Sequence, residues 1–374
     1  MHLHLVGGAR PNFMKIAPLW HALCGHRRIR PMFVHTGQHR DINMTDDIWR
    51  DLGLPQPAHV LSTPATNTYG DIQAAYRDLC ERDRPDVTLV VGDVTSSLAA
   101  ASAANDLGIP LIHLEAGLRC FDPDMVEERN RIAIDGMADL LLAPSQDAVD
   151  NLRAEGTSPD RIRLVGNVMI DSLVMTRPLM NAAASAERLK LVAQSFLLVT
   201  LHRQENVDDA HRLRKLCDVL VELARDRPVC FPVHPRTRNR LNDMGLMAKL
   251  CDGRVMVLPP MAYADFMGLM AGAAGVITDS GGVQEETTFL NVPCFTLRNS
   301  TERPVTITHG TNTLVQIDQL VAKVQKTLET PRKQARPAVP YWDGNTANRV
   351  VQAIEEMCFD PKTQRPKGAR KRTV

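Results

Sequence analysis

Two doubly wound α/β domains are what this sequence predicts, and three observations predict them. Short apolar runs, often β-branched, recur along the chain and alternate with longer segments of helical apolar spacing. The runs fall into two sets of six, with a seam around Asn167–Ala184. The length of 374 residues is about twice that of a usual single domain.

The first set of strands is expected at His2–Val6, Met32–Thr36, Val87–Val91, Leu111–Leu114, Leu140–Ala143 and Ile162–Val165. The second is expected at Phe196–Leu201, Val229–Val233, Val255–Leu258, Gly275–Thr278, Cys294–Leu297 and Thr313–Val315. Between them lie helical segments such as the alanine-rich Ser96–Asp106 and the amphipathic His211–Arg225. Strands that alternate with helices in this way build parallel sheets covered on both faces. Residues 361–374 hold three lysines and three arginines without apolar pattern, so a solvated, disordered basic tail is expected there.

Composition narrows the function. The chain is 44% hydrophobic and 23% charged, ordinary globular usage that rules out wholesale disorder. A formal net charge of +1 carries no basic excess for nucleic acid, and no specific nucleic-acid partner is expected. The best apolar run, Met267 to Thr278, is far shorter than the ~18 residues of a membrane span, and no membrane partner is expected. The first residues alternate like a strand and lack a signal-peptide pattern. Eight cysteines without any C-x-x-C pair argue against structural zinc and against a disulfide scaffold, so a reducing cytoplasm fits.

In open parallel sheets ligands bind outside the carboxyl ends of the strands, so the polar residues that follow each strand matter most. The first strand runs into Gly7-Gly8-Ala9-Arg10-Pro11 and a helix carrying Lys15, which reads either as a tight turn or as an anion site at a helix N-terminus. Asp93 follows the third strand and serves either as a helix cap or as a cleft carboxylate. Glu115 ends a buried strand, where a carboxylate is costly unless paired or functional. Glu127 and Glu128 open a helix as dipole partners or as site acids. His202 and His234 end consecutive strands of the second set. Thr278-Asp279-Ser280-Gly281-Gly282 forms a strand–turn–helix cradle for an anion, and Glu286, one turn on, suits the paired hydroxyls of a ribose. Arg298, Glu302 and Arg303 follow the next strand. Neither the nicotinamide nor the Walker fingerprint is present, nor a serine elbow or metal-binding helix.

Taken together these motifs resemble the non-hydrolysing UDP-N-acetylglucosamine 2-epimerase family, over about residues 7–349. The carriers are Gly-Ala-Arg-Pro with Lys15, Thr36-Gly37-Gln38-His39, Gly92-Asp93, His113 through Arg119, and Glu127-Glu128-x-Asn130-Arg131. The second half adds Leu201-His202-Arg203-x-Glu205-Asn206, His234-Pro235, Thr278 through Glu286, and Thr301-Glu302-Arg303-Pro304. The resemblance implies a GT-B-like architecture, in which two Rossmann-like domains face each other across a cleft. Boundaries are then expected at 1–168 and 169–345, with a C-terminal helix at about 346–360 returning to the first domain. It also implies UDP elimination from C1, proton removal at C2 to give 2-acetamidoglucal, and re-addition of UDP with a proton delivered to the opposite face. Asp93, Glu115, Glu127 and His202 are the implied catalytic set. Arg10, Lys15, Ser280, Gly281, Gly282 and Arg303 would hold phosphate, Glu286 the ribose, and Phe266 and His234 would line the nucleotide site. The chemistry needs neither metal nor redox cofactor, and none is expected. The expected partners are a UDP-sugar and a second copy of the chain.

The sequence departs from the family at Asn12, where an acid is usual, and at Val126, where proline is usual. Gln204 and Asp41 stand where some relatives carry residues of an allosteric UDP-N-acetylglucosamine site, so activation by a second ligand is not expected. Alternative readings are a 2-epimerase of a related UDP-sugar such as UDP-2,3-diacetamido-glucuronate, a hydrolysing epimerase, a GT-B glycosyltransferase, or an inactive nucleotide-sugar sensor.

Overall fold

The computed structural model describes residues 1–38, 49, 51–63, 68–180, 182–329 and 339–359. The first sheet contains seven strands: β1 (His2–Gly7), β2 (Arg30–His35), β3 (His59–Val60), β4 (Val87–Val91), β5 (Leu111–Leu114), β6 (Leu140–Ala143) and β7 (Ile162–Leu164). Their order is β3-β2-β1-β4-β5-β6-β7. The second has six: β8 (Leu197–Thr200), β9 (Val229–Pro232), β10 (Val255–Leu258), β11 (Gly275–Thr278), β12 (Cys294–Thr296) and β13 (Asn312–Leu314), in the order β10-β9-β8-β11-β12-β13. All pairings are parallel, for example Leu5 opposite both Phe33 and Leu89, and Ile277 opposite both Val199 and Phe295. The molecule is thus built from two Rossmann-like sheets, as expected.

Every residue of β4, β5 and β6 is buried, because helices cover both faces of the sheet. That continuous burial is why these strands read as apolar runs rather than alternating ones. One strand escaped the reading. β3 is two residues long and pairs with β2 at the sheet edge through Val34–His59 and His35–Val60. Two residues are too few to display a period. Five of the eight cysteines are buried, whereas Cys24 and Cys251 are exposed at helix ends, where the chain leaves the core. No described helix is long and apolar enough to cross a membrane. The basic tail, with Arg40 and Asp41, lies outside the described residues.

A helix at Val168–Thr176 joins the two halves, packing on Arg10–Leu23 from the first and Gly281–Phe289 from the second. Ser172 Oγ donates to the Met14 carbonyl across this contact. Asp171 accepts the backbone N–H groups of Thr346 (3.1 Å) and Ala347 (2.7 Å), where a carboxylate complements the N-terminal end of the last helix, Thr346–Phe359. That helix packs its Val350 and Ile354 face onto Arg10–Leu23, and Arg28 lies 3.6 Å over the Phe359 ring. Apolar contact therefore runs continuously from Leu3 of the first sheet and Phe13 of the helix after it to Leu198 and Val276 of the second sheet.

Candidate active site

In both sheets the strand order reverses beside the central strand, between β1 and β4 and between β8 and β11. Crevices open at such switch points. At the first, Gly7 leads into the helix Arg10–Leu23, which has Pro11 in its first turn. Asn12 accepts from the N–H groups of Gly8 (3.2 Å) and Ala9 (3.0 Å) and donates to the Val91 carbonyl (3.0 Å). An ionised acid could not make that last bond, which gives the departure at Asn12 a physical role. The Arg10 side chain lies outside the described residues.

Lys15 and Glu115, 7% and 4% exposed, form a buried ion pair. Glu115 leaves β5 with φ 69°, in the left-handed region, which costs a residue with a side chain about 1–3 kcal/mol. Its backbone is held there by a bond from Glu115 N to the Leu142 carbonyl (3.1 Å). Glu115 Oε1 has no hydrogen-bond partner among the described residues. Gly92 precedes Asp93 at φ 63°, and a Cβ there would lie 3.3 Å from Lys15 Nζ and 3.4 Å from Glu115 Oε2. The pair thus needs a glycine beside it.

Asp93 receives Arg131 Nη2 at 2.5 Å, and Asn130 Nδ2 donates to its carbonyl at 2.8 Å. Burial alone would raise the Asp93 pKa, but Arg131 and Lys15 outweigh it and hold the carboxyl below its usual range. Arg131 is fully buried and also pairs with Glu128, which accepts the N–H groups of Cys120 and Phe121, each at 3.0 Å. The paired glutamates therefore divide: Glu128 braces the loop, while Glu127 is exposed on the first helical turn. Glu127 precedes Asn130 and Arg131 by three and four residues, on the helix face that meets Asp93. Behind this set, His113 places Nδ1 2.6 Å from Asp135 and Nε2 3.0 Å from the Gly92 carbonyl. Burial opposes ionisation of Asp135, but His113 and Arg119 overcome it and keep the carboxyl low. Both ring nitrogens face acceptors, so His113 ties Asp135 to the turn before Asp93.

In the second half, His202 follows β8 with its side chain 44% exposed, and its Nδ1 lies 3.1 Å from the fully buried Asp279. Asp279 also accepts from His202 N (3.1 Å), Arg203 N (3.0 Å) and Asn206 Nδ2 (3.0 Å). His234 is exposed and caps the helix Pro235–Asp243, accepting from Arg236 N at 3.3 Å. Ser280 occupies the N-cap position of the helix Gly281–Phe289 without a side-chain capping bond. A Cβ on Gly281 would meet Arg303 Nη1 at 2.6 Å, whereas one on Gly282 would touch only Met169 Cε at 3.8 Å. The cradle is therefore closed to a side chain at Gly281 and open at Gly282. Glu286 is buried and accepts from Tyr263 OH at 2.8 Å, and Phe266 stands half-buried one turn along the Tyr263 helix.

Arg303 Nε donates to Glu285 Oε1 at 2.5 Å, and its Nη1 to Glu302, which pairs in turn with Arg298 at 2.8 Å. Burial would raise the Glu302 pKa, but Arg303 and Arg298 drive it far below the usual range. The opposite holds next door: burial, reinforced by Glu115, pushes Glu285 up to about 7 against Arg303 and Lys15. Lys15 and Glu115 of the first half thus act on Glu285 of the second, and Glu302 acts back on Asp93. The two strand-end sets face each other across one cleft.

Sequence reading found the residues at the rim of this cleft but missed those that hold them. Arg131, Asp135, Asp279 and Glu285 all lay inside or beside quoted motifs, yet their partners are 38, 22, 77 and 18 residues away. Charge type and strand-end position were the available signal. The pairing itself is tertiary.

The chain matches the UDP-N-acetylglucosamine 2-epimerase family over residues 21–355. It is 34% identical to the UDP-N-acetylglucosamine 2-epimerase of Methanococcus maripaludis, over 94% of this chain and 97% of that one. It is 38% identical to the UDP-2,3-diacetamido-2,3-dideoxy-D-glucuronate 2-epimerase of Pseudomonas aeruginosa, over 96% and 100%. The crystal structure of Methanocaldococcus jannaschii UDP-GlcNAc 2-epimerase in complex with UDP-GlcNAc and UDP is similar, with a TM-score of 0.84 at 35% identity, covering 95% of this chain and 99% of that one. With its two facing sheets, its strand-end carboxylates and these matches along nearly its whole length, the chain belongs to the UDP-N-acetylglucosamine 2-epimerase family.

Proposed function

We propose that this protein interconverts UDP-N-acetylglucosamine and UDP-N-acetylmannosamine by eliminating and re-adding UDP. The observation that carries this reading is the meeting of two unlike strand-end sets. Carboxylates of the first sheet, Asp93 and Glu115, face the turn of the second sheet built from Ser280, Gly281 and Arg303. The C2 proton of the sugar is not next to a carbonyl carbon, so direct deprotonation is prohibitively hard. In the proposed elimination the C1–O bond breaks with its electron pair going to UDP, a base takes the C2 proton, and a C1–C2 double bond forms. Re-addition reverses these events, with the proton delivered to the other face of C2. Such a site needs a base, an acid opposite it, and positive charge where the diphosphate departs.

Asp93, Glu115 and Glu127 supply the carboxylates of this reading and His202 its fourth member. Asp93 is held ionised by Arg131 and Lys15. Lys15, Arg10, Arg303 and the Ser280–Gly282 turn would hold the diphosphate. Glu286, braced by Tyr263, would meet the ribose, with Phe266 and His234 at the nucleotide. We take residues 1–168, completed by the last helix, and 169–345 as the two units that close on substrate, and the working form as a cytoplasmic homodimer.

A second reading rests on the 38% identity to the diacetamido-glucuronate epimerase, higher than the 34% to the Methanococcus maripaludis enzyme. Proton NMR of the protein with each UDP-sugar separately decides between them: a new anomeric signal from UDP-N-acetylglucosamine supports the first, and turnover of the glucuronate alone supports the second.

A further inference from the structure

Three buried cations of the cradle around Arg303 are already paired with carboxylates. Lys15, Arg298 and Arg303 are matched by Glu115, Glu285 and Glu302, each cation already paired with a carboxylate. A diphosphate entering here brings at least two further negative charges into a cluster that is neutral when all six groups are ionised. All six are buried, so water cannot screen the excess. Arg203 adds positive charge beside Glu302, and a group that takes up a proton relieves what remains.

Glu285 is placed to do so. It sits in the first turns of the helix Gly281–Phe289, 1% exposed. Its Oε1 accepts from Arg303 Nε, while its Oε2 is buried with no hydrogen-bond partner among the described residues. The charged groups that face it are Arg303 from the turn after β12, and Glu115 and Lys15 from the first sheet. A bare carboxylate oxygen in such a place is costly as an anion and accommodates a proton without breaking the bond to Arg303. Glu302 differs, because arginines stand at both of its oxygens.

We propose that Glu285 is a positioning residue that holds Arg303 through Nε and gains a proton on Oε2 when a diphosphate occupies the cradle, so that ligand binding is coupled to proton uptake. This inference rests on the diphosphate reading given above. The balance is simple: one proton passes from solvent to Glu285 on binding and returns on release, with no bond of the ligand altered. Burial and Glu115 already bring this carboxyl to about 7 without ligand, and the added phosphate charge acts in the same direction. Above neutral pH the free protein therefore has Glu285 ionised, and binding must recruit the proton.

Calorimetric titration with UDP tests this, at pH 8 in buffers of different ionisation enthalpy, on the wild type and Glu285→Gln. The wild type is expected to take up more than half a proton per UDP, and its Kd to rise with pH above 7, by up to roughly tenfold per unit. Glu285→Gln is expected to bind UDP without that uptake and with a nearly flat pH dependence. Infrared difference spectra of the wild type, with and without UDP, provide a readout free of any variant: a protonated-carboxyl C=O band should appear on binding. No uptake at pH 8, equal uptake in both proteins, or no such band would overturn the inference while leaving the diphosphate reading intact. Absence of UDP binding by the wild type would overturn that reading, and this inference with it.

Discussion

Two aspartates occupy matching places in the two halves of this molecule and are used in opposite ways. Asp93 follows β4 and Asp279 follows β11, each strand being the neighbour of the central strand at the point where the order reverses. Gly92, at φ 63°, intervenes between β4 and Asp93, whose side chain keeps 27% exposure beside Arg131. Asp279 follows its strand directly, has no exposure, and ties down the backbone of His202 and Arg203. A strand-end carboxylate is therefore not a catalytic signal in itself. One left-handed glycine and the partners within reach decide whether it faces the cleft or braces the fold.

That contrast breaks if the two residues respond alike to the same substitution. Asp93→Asn and Glu115→Gln should each lower kcat at least a hundredfold, the scale of lost acid–base catalysis, with UDP affinity little changed. Asp279→Asn should instead lower stability by about 1–3 kcal/mol, since its amide would place a donor among N–H groups. Steady-state kinetics, UDP titration and urea melts on the three variants check this. A larger loss of stability, about 3–5 kcal/mol in the same melts, is expected of Arg131→Met, which leaves the buried Glu128, and Asp93 beside it, without their cation.

The cradle sharpens the comparison from the other side. Gly281→Ala should raise the UDP Kd about tenfold, the equivalent of about 1.4 kcal/mol, because its Cβ would meet Arg303. Gly282→Ala should change it less than about twofold, because only ordinary contact with Met169 awaits it. Equal effects in a UDP titration would show that the turn is not packed as described. The smallest effect expected is on the pH dependence of stability. The Glu285 carboxyl is raised from 4.5 to about 7 by folding, so the folded state binds more protons than the unfolded state across that window. Its contribution is full below about 4.5 and is lost as pH rises through about 7. Thermal melts of Glu285→Gln should therefore fall less steeply between these values than those of the wild type.

How much of this was legible in the sequence follows from the range of each interaction. Buried strands such as Val87–Val91 announce themselves locally, and twelve of the thirteen strands in the described residues overlap an expected run. Glu115 was legible because a carboxylate ending an apolar run is conspicuous. Its pairing with Lys15 is a matter of folding: the two are 100 residues apart in sequence. Glu127 and Glu128 look equivalent in sequence, and only the loop at Cys120 and Phe121 tells them apart. Asp279 sat within a quoted motif, yet only its bonds to residues beyond β8 reveal that it orients His202.

The central claim is that a carboxylate of the first sheet removes the C2 proton while the second sheet takes the departing UDP. Turnover of UDP-N-acetylglucosamine in deuterium oxide, followed by proton NMR and mass spectrometry, tests it most directly. The expected product is UDP-N-acetylmannosamine carrying deuterium at C2, with traces of 2-acetamidoglucal and free UDP. Epimerised product that retains its original C2 hydrogen would contradict it.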